Sequence, residues 1–542
     1  MDRLVRTILV GLVWLCGLAL LPLPAPAAGA VVPAQFRAFW VDAFHDGIKT
    51  PEQVDRLVAD ALAAHVNTLI VQVRRRGDAY YSRSPLEPQT EDQSVAPGFD
   101  PLQYLLERAH AQGLEVHAWL TALPVWNSAT RPQAPGHVWN LHQPPAGTGA
   151  GDWLSYVRVF DPETHRWSTD LRPSYDLDPG NPAALDYTVE VYLNIVRQYA
   201  VDGLHLDLCR YSGAGAGYNP TSVARFNAWA GTTGLPEPED PRWSDWRREQ
   251  VTNLVRKVYL RAIALNPRLK VSAATIAWGA GPQEEGDWTR TRSYAEVFQD
   301  WRGWLAEGII DLAIPMNYDR EWNETQRRWY DQWLEWEKDH QYGRGVVIGV
   351  GLYQQYPEQS LAQLARAALP SAQGNRAAGV ALYSYGSTSL YATDSYADPA
   401  SPAALSLPRQ PHVHRPELNA AFPALLSQPG GYSDPATGLT VPTTPVFPTP
   451  VPVPDLPWKS HPTRGFLMGT IEGAGGRPMD QREVTLAGPE TRVLHTDGHG
   501  WFGAADLLPG EYVVSASEAG GVPSGRVIVK VEPGKVAEVT VP

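Results

Sequence analysis

The sequence predicts an α/β chain built on a (β/α)8 barrel, followed by a proline-rich connector and a small all-β module. Three observations predict it. Eight short apolar runs recur at 36–41, 67–73, 115–120, 203–208, 270–276, 310–315, 346–351 and 379–385. Helical patterns fall between them, among them 51–64, 101–112, 182–199, 243–265 and 325–340. A βα unit repeated eight times is the signature of a closed parallel barrel rather than a doubly wound open sheet. Finally, 442–462 carries eight prolines and no glycine, and the segment after it alternates apolar and polar residues as half-buried strands do.

Composition sets the outer limits. The chain has 542 residues, 43% hydrophobic and 19% charged, which is core-forming material and not the make-up of a disordered protein. Its net charge of −13 repels phosphate backbones, so nucleic acid is not expected as a partner. Residues 1–30 have the three-part layout of an export signal: Arg3 and Arg6, an apolar stretch from Ile8 to Leu21, and Ala28-Gly29-Ala30 as the cleavage site. That stretch is shorter than the roughly 20 residues a bilayer demands, so the expectation is a secreted or extracytoplasmic protein with no stable membrane anchor. Cys209 is the one cysteine beyond residue 30, which excludes an internal disulfide framework and a cysteine-based zinc site. No cofactor and no metal are expected.

The predicted organisation is a signal over 1–30, the barrel over 31–415, a connector over 416–463 and an all-β sandwich over 464–542. At about 3.1 Å per residue, extended polyproline over 442–462 would reach roughly 65 Å and hold the small module clear of the barrel.

In parallel barrels chemistry sits at the carboxyl ends of the strands. Those positions hold a dense polar set: Asp42 and His45 after the first strand; Arg74, Arg76, Asp78 and Tyr80 after the second; His117, Trp119 and Trp126 on and after the third; His205, Asp207 and Arg210 around the fourth; Trp278 after the fifth; Asn317, Tyr318, Asp319 and Glu321 after the sixth; Tyr385 after the eighth. The connection after the third strand, 121–180, is long, contains Trp126, Trp139, Trp153 and Trp167, and reads as a cleft wall.

Several of these segments together resemble one family: Phe36-Arg37-Ala38-Phe39-Trp40-Val41-Asp42, Val71-Gln72-Val73-Arg74, Gly113-Leu114-Glu115-Val116-His117-Ala118-Trp119-Leu120, Asp202-Gly203-Leu204-His205-Leu206-Asp207 and Ile314-Pro315-Met316-Asn317-Tyr318. The chain resembles the glycosyl-hydrolase-like-10 family of secreted bacterial TIM barrels over residues 34 to 400. The resemblance implies glycan cleavage, and some members act on peptidoglycan strands stripped of their peptides. One departure stands out. Relatives often carry Asp-Tyr-Ile-Arg-Tyr-Pro, or a second acid, where this chain has Asp207-Leu208-Cys209-Arg210-Tyr211-Ser212. The C-terminal segment, with Thr496-Asp497-Gly498-His499-Gly500-Trp501-Phe502 and Leu508-Pro509-Gly510-Glu511-Tyr512, resembles the carboxypeptidase-regulatory-like β-sandwich, a module type that is usually structural or adhesive.

Glycosidic cleavage needs two carboxyl groups. Strand alternation puts His205 and Asp207 on one face and Leu204 and Leu206 on the other, which aims Asp207 at the barrel axis. Asp207 is the expected nucleophile or charge stabiliser and Asp319 the expected acid, with Glu321 and Asp78 competing. A carboxyl separation of about 5 Å would imply retention and about 6.5–9.5 Å inversion. The cysteine at 209 replaces the acid that a family-eighteen chitinase needs, excluding that mechanism in its usual form. Arg74 and Arg76 could grip a carboxylate such as the muramic lactyl group, or instead pair with Asp42, Asp78 or Asp207. Asp42, Asp78, His117, His205, Arg210, Asn317, Glu321 and Tyr385 complete the expected substrate-binding set, with Trp119, Trp126, Trp278 and Tyr318 as stacking surfaces.

A metal-dependent hydrolase using His117 and His205, with Asp42 or Asp207 as a third ligand, is disfavoured, since strand one carries no His-x-His and no predicted helix carries histidines paired at helical spacing. His412-Val413-His414 is expected to face solvent. Tryptophan exceeds phenylalanine by 20 to 11, and Trp301, Trp304, Trp329, Trp333 and Trp336 sit at helical spacing, which reads as packing. The rival to a glycosidase is a non-catalytic glycan-binding or wall-adhesion protein on the same scaffold.

Overall fold

In the computed structural model of the chain, which describes residues 33–144, 151–410, 412–473, 477–517 and 523–542, the eight expected strands form. They are β1 (Phe36–Val41), β2 (Thr68–Arg74), β3 (Glu115–Thr121), β4 (Gly203–Asp207), β5 (Lys270–Ile276), β6 (Leu312–Asn317), β7 (Gly345–Gly351) and β8 (Gly379–Tyr383). All pair in parallel in sequence order, and β1 closes on β8 with Phe36 opposite Gly379, so the sheet is a closed barrel with no open edge. The export segment at 1–30 lies outside the described residues.

The longer helices are α1 (Pro51–Ala63), α2 (Pro101–His110), α3 (Pro182–Gln198), α4 (Pro220–Ala230), α5 (Pro241–Leu265), α6 (Trp301–Glu307), α7 (Glu324–Asp339) and α8 (Pro357–Ala367). The first five start the same way. Thr50, Asp100, Asn181, Asn219 and Asp240 each cap with a side-chain oxygen that accepts a first-turn amide, and a proline follows at once. Proline fits there because the first helical position has no intrahelical use for an N–H, while each cap contributes about 1 kcal/mol. Part of the proline excess therefore marks helix starts.

Side chains fill the barrel from end to end. Phe36, Trp40, Ile70, Trp119, Leu312, Ile314 and Val347 pack as one interior cluster, separate from the strand–helix layer outside. Two glycines make room for the largest of them. A β-carbon at Gly349 would lie 2.9 Å from the Trp40 indole, and one at Gly203 would lie 2.7 Å from the His117 ring.

The proline-rich segment does not behave as a spacer. It runs across the amino-terminal mouth of the barrel, where Leu456, Val453 and Trp458 join the interior cluster. The Gln35 amide donates to Pro452 O at 3.1 Å, Asn67 Nδ2 to Val451 O at 3.1 Å and an Arg37 guanidinium nitrogen to Thr449 O at 2.7 Å. Trp458 Nε1 donates to Asp311 at 2.7 Å, and Lys459 pairs with the same carboxylate at 3.0 Å. Proline's missing N–H suits this role, because carbonyls alone answer the donors at the strand starts. His412 also departs from expectation: it is buried against Tyr391 and Tyr396.

Beyond residue 464 two small sheets face each other. Gly465–Gly473 lies between Trp501–Leu507 and the parallel Val536–Val541, while Thr491–His495, Glu483–Ala487, Gly510–Ser517 and Pro523–Val531 form the other sheet. Leu467, Val484, Leu486, Phe502, Tyr512 and Val514 fill the space between. This module docks on the barrel and is not held clear of it. Lys257 on α5 reaches Asp497 at 2.8 Å and Asp186 on α3 at 2.5 Å, Arg225 forks onto Asp480 at 2.7 and 2.8 Å, and Arg344 meets Asp506 at 2.7 Å. No helix among the described residues is long and apolar enough to cross a membrane.

Because Lys257 is buried between two carboxylates of different elements, Lys257→Met should destabilise the folded chain by about 3 kcal/mol. Denaturant unfolding followed on the barrel tryptophans checks this. A module riding free on its connector would leave that transition where it was.

Candidate active site

A cleft of about 420 Å³ opens at the carboxyl ends of the strands. Its floor and walls combine indole and phenol faces (Trp40, Trp119, Trp126, Tyr318, Tyr353 and Tyr383) with the guanidiniums of Arg75, Arg76 and Arg210. Asp207 is the single carboxylate among the described lining residues.

Alternation along β4 does what the sequence requires: Leu204 and Leu206 pack outward, and His205 and Asp207 point to the axis. Both inward groups are pinned by indole N–H donors. Trp119 Nε1 donates to Asp207 Oδ2 at 3.0 Å, and Trp40 Nε1 donates to His205 Nε2 at 3.0 Å. Since His205 Nε2 accepts, its proton is on Nδ1, which meets Ser272 Oγ at 2.9 Å. Burial holds this imidazole down to about 3, so it is neutral at physiological pH. Burial pushes the Asp207 carboxyl up, against the opposing pull of Arg210, the Trp119 indole and the Leu208 amide, which donates to Oδ1 at 2.7 Å. Leu208 makes that bond from a left-handed backbone with φ of 52°, a conformation that costs an L-residue roughly 1–2 kcal/mol. Cys209 is buried behind the strand, and burial raises its thiol further out of nucleophile range.

The second expected carboxyl sits next door. Asp319 lines an adjoining cavity of about 370 Å³, which shares Met316, Tyr318 and Tyr353 with the central cleft. Its Oδ2 is buried without a partner, and burial pushes the group up to about 7 despite the pull of Arg320. Arg76 lies over Trp126 at 4.6 Å in the cleft wall and bonds Asn127 at 3.0 Å. Trp278 borders the adjoining cavity and lies under two guanidiniums, Arg210 at 5.2 Å and Arg292 at 4.9 Å, so its ring is already engaged.

Other expected members lie elsewhere. Arg74 is fully buried on Glu87, with Nε to the two carboxylate oxygens at 2.8 and 3.0 Å, and bonds the Thr121 and Ala122 carbonyls. The pairing register shifts between Gln72 and Arg74, which breaks the alternation and turns Arg75 rather than Arg74 toward the cleft. Asp78 accepts the Arg76 amide at 2.9 Å and shapes that turn. Asp42 is buried, bonding the Phe44 and His45 amides and the His45 ring; burial alone would raise it, but His45 outweighs this and holds it low. His117 faces the barrel interior below the cleft, bonded to Glu115 at 3.3 Å. Asn317 is turned to Glu337 at 2.9 Å, Glu321 is forked by Arg366 at 2.9 and 2.6 Å, and Tyr385 donates to Asp60 at 2.7 Å. From the described part of the long connection Pro124, Trp126 and Asn127 line the cleft, whereas Trp139, Trp153 and Trp167 pack on Tyr175, His142 and Phe160 within it.

Residue reading missed Arg75 and Asp176. Arg75 lies over Phe44 at 3.7 Å with its Nε unpartnered. Asp176, in the hairpin of the long connection, is raised by burial and drawn down by the same Arg210 that faces Asp207. Neither carries a sequence signal that separates it from an ordinary loop charge.

A closed parallel barrel with a carboxylate, indoles and guanidiniums at its carboxyl-end cleft has the make-up of a carbohydrate-active barrel protein. The chain belongs to the glycosyl hydrolase-like 10 family, whose profile matches residues 35–363. It is 25% identical over 343 residues to glycosyl hydrolase YngK of Bacillus subtilis, covering 60% of this chain and 61% of that one. It is 28% identical over 264 residues to glycosyl hydrolase DigH of Escherichia coli K12, covering 47% of this chain and 54% of that one. The chain thus spans less than two thirds of either relative. Among solved structures, the PgaB (BpsB) glycoside hydrolase domain of Bordetella bronchiseptica aligns at 16% identity with a TM-score of 0.46, over 65% of this chain and 94% of that one.

The neutral His205 has a measurable consequence. An exposed imidazole takes up a proton near 6.5, whereas this one does so only near 3. The unfolded chain therefore binds the extra proton as pH falls between those values, and stability drops by up to about 1.4 kcal/mol per pH unit from this group. His205→Gln, which can still accept from Trp40, should remove that slope. Denaturant midpoints of both proteins between about pH 6.5 and about pH 4 measure the difference, and equal slopes would show that His205 is charged.

Proposed function

We propose that this chain is a secreted glycoside hydrolase that cleaves glycosidic bonds in an envelope or extracellular polysaccharide, with peptide-free peptidoglycan strands as the substrate class that fits best. The observation that carries this reading is the cleft itself: one axial carboxylate, Asp207, set among indole faces and three guanidiniums that make no ion pair with a described carboxylate. Indoles stack on sugar rings, and forked cations take a sugar-borne carboxylate such as a lactyl group.

In this reading Asp207 attacks the anomeric carbon or stabilises its developing charge, held in place by Trp119. Asp319 donates the proton to the leaving oxygen from across the Tyr318–Tyr353 ridge that the two cavities share. An acid raised to about 7 keeps its proton in near-neutral solution and gives it up readily, which suits that role. Asp176 is the competing partner, because burial raises it too and Arg210 faces both it and Asp207. The rival, a glycan-binding protein without turnover, uses the same cleft and differs only in the fate of the bond.

Release of new reducing ends from peptide-free peptidoglycan strands distinguishes them. Asp207→Asn should lower that release by about 10²–10⁴-fold; its amide oxygen can still accept from Trp119, at the cost of the bond from the Leu208 amide. Wild-type turnover should fall as pH rises through about 7, where Asp319 loses its proton, and Asp319→Asn should lose that limb together with most of the rate. No product from the parent protein, with strand binding intact in Asp207→Asn, would establish the rival.

A further inference from the structure

Of the five tryptophans at helical spacing, Trp301, Trp304 and Trp333 are 0% exposed and Trp336 is 5% exposed, as packing residues should be. Trp329 is different. It is half-buried at the first turns of α7, lines the lateral cavity beside Asp319, and has no ring, cation or hydrogen-bond partner among the described residues. A free indole face on the wall of a cavity is an unused stacking surface. The neighbouring Trp278 cannot serve in its place, because Arg210 and Arg292 already lie over its ring.

The rest of the cavity supplies the polar half of a sugar site. Arg320 has a buried Nε with no partner, and Asp319 has a buried Oδ2 with none. Gln326 uses its Oε1 on the Arg320 amide at 2.8 Å, which leaves its Nε2 donors free. Unpartnered donors and acceptors of this kind are costly to bury unless a ligand completes them. Tyr318 and Tyr353 border this cavity and the central cleft alike, so the two form one track across the carboxyl-end face.

We propose that the lateral cavity is a second sugar-binding subsite for the same glycan strand, in which a pyranose ring stacks on Trp329 and its hydroxyls or acidic substituent bond Gln326, Asp319 and Arg320. The strand then lies over the Tyr318–Tyr353 ridge with two sugars in the central cleft and a further one beside α7, out of reach of a disaccharide bound in the cleft. The inference rests on the reading of the central cleft as a glycan site, and it assigns chain-length preference to a helix rather than to the long connection after β3.

The test uses the full chain carrying Asp207→Asn, so that binding is measured without turnover, and peptide-free peptidoglycan oligosaccharides of two and of eight sugars as probes. The octasaccharide should bind more tightly than the disaccharide. Adding Trp329→Ala should cut that advantage about tenfold, and Trp329→Phe should retain most of it. Arg320→Met should weaken the octasaccharide in the same direction. Thermal melting of each variant guards against a folding defect. An octasaccharide affinity within about twofold of the parent in both Trp329→Ala and Arg320→Met would overturn the subsite while leaving hydrolysis by the wild-type protein untouched. A full Trp329 effect with no reducing ends released by the wild type would instead keep the subsite and overturn the hydrolase. Absence of binding by both probes would overturn both.

Discussion

The structure turns on how a polar group is kept at the axis of a closed barrel. Eight strands enclose a space that side chains must fill, and any N–H or carboxylate placed there loses its water. Here β4 puts His205 and Asp207 inward, and each is answered by the Nε1 of a tryptophan from another strand, Trp40 on β1 and Trp119 on β3. The indole does two jobs at once: it fills volume as phenylalanine would, and it brings a donor that phenylalanine lacks. The same logic recurs away from the axis. Trp301 donates to Ile276 O, Trp304 to Thr252, Trp333 to Gly279 O and Trp458 to Asp311. Part of the excess of tryptophan over phenylalanine thus answers buried acceptors, while Trp243, Trp246 and Trp336 pack with Nε1 unpartnered among the described residues, and Trp40, Trp119, Trp126, Trp278 and Trp329 line the central cleft or the cavity beside it.

Filling the axis in this way has consequences at both ends of the barrel. Glycine at 349 and at 203 is required where Trp40 and His117 cross the interior. At the amino-terminal mouth the interior cluster is finished by Val453, Leu456 and Trp458 of the proline-rich segment, which makes that segment part of the core. The terminal module then has to sit where the segment delivers it, against α5, and the Lys257–Asp497 and Arg344–Asp506 pairs fix it there. Among the described residues, those lining the central cleft make no hydrogen bond or ion pair with this module.

Much of this was legible in the sequence, and the failures have physical reasons. Strand count and the alternation of β4 follow from local patterning, which is strong wherever a strand is buried on both faces. Arg74 and Arg75 exchange roles because a register shift after Gln72 breaks the period of two, and no residue at that point announces it. Glu87, which neutralises Arg74, lies in a loop where one acid looks like any other. Polyproline composition predicts local extension, but what an extended segment lies against is decided by donors at 35, 37 and 67, far away in sequence. Trp329 shares its helical spacing with the packed Trp333 and Trp336, and periodicity alone does not tell the edge of a buried stripe from its centre.

Arginines gather at the carboxyl-end cavities of a molecule whose net charge is negative. A protein of net charge −13 collects Arg75, Arg76, Arg210 and Arg320 around two joined cavities without pairing them to carboxylates. Arg210 pulls on Asp207 and Asp176, and Arg320 on Asp319, so cations and acids sit side by side in these cavities, where low-dielectric walls strengthen each pull. A neutral glycan entering this face would displace water from four cations and give each only hydroxyls in return. An anionic one would supply the missing partners and recover the desolvation cost. Burial raises Asp207, Asp176 and Asp319, so a ligand of the proposed kind would desolvate these acids further as it filled the cavities. An anionic strand that takes up Arg210 removes part of the pull that holds the Asp207 carboxyl down. For Asp207 to act as the ionised group of the proposed reaction, Arg210 must therefore stay on the axial acid, which leaves Arg75, Arg76 and Arg320 to meet an anionic substituent.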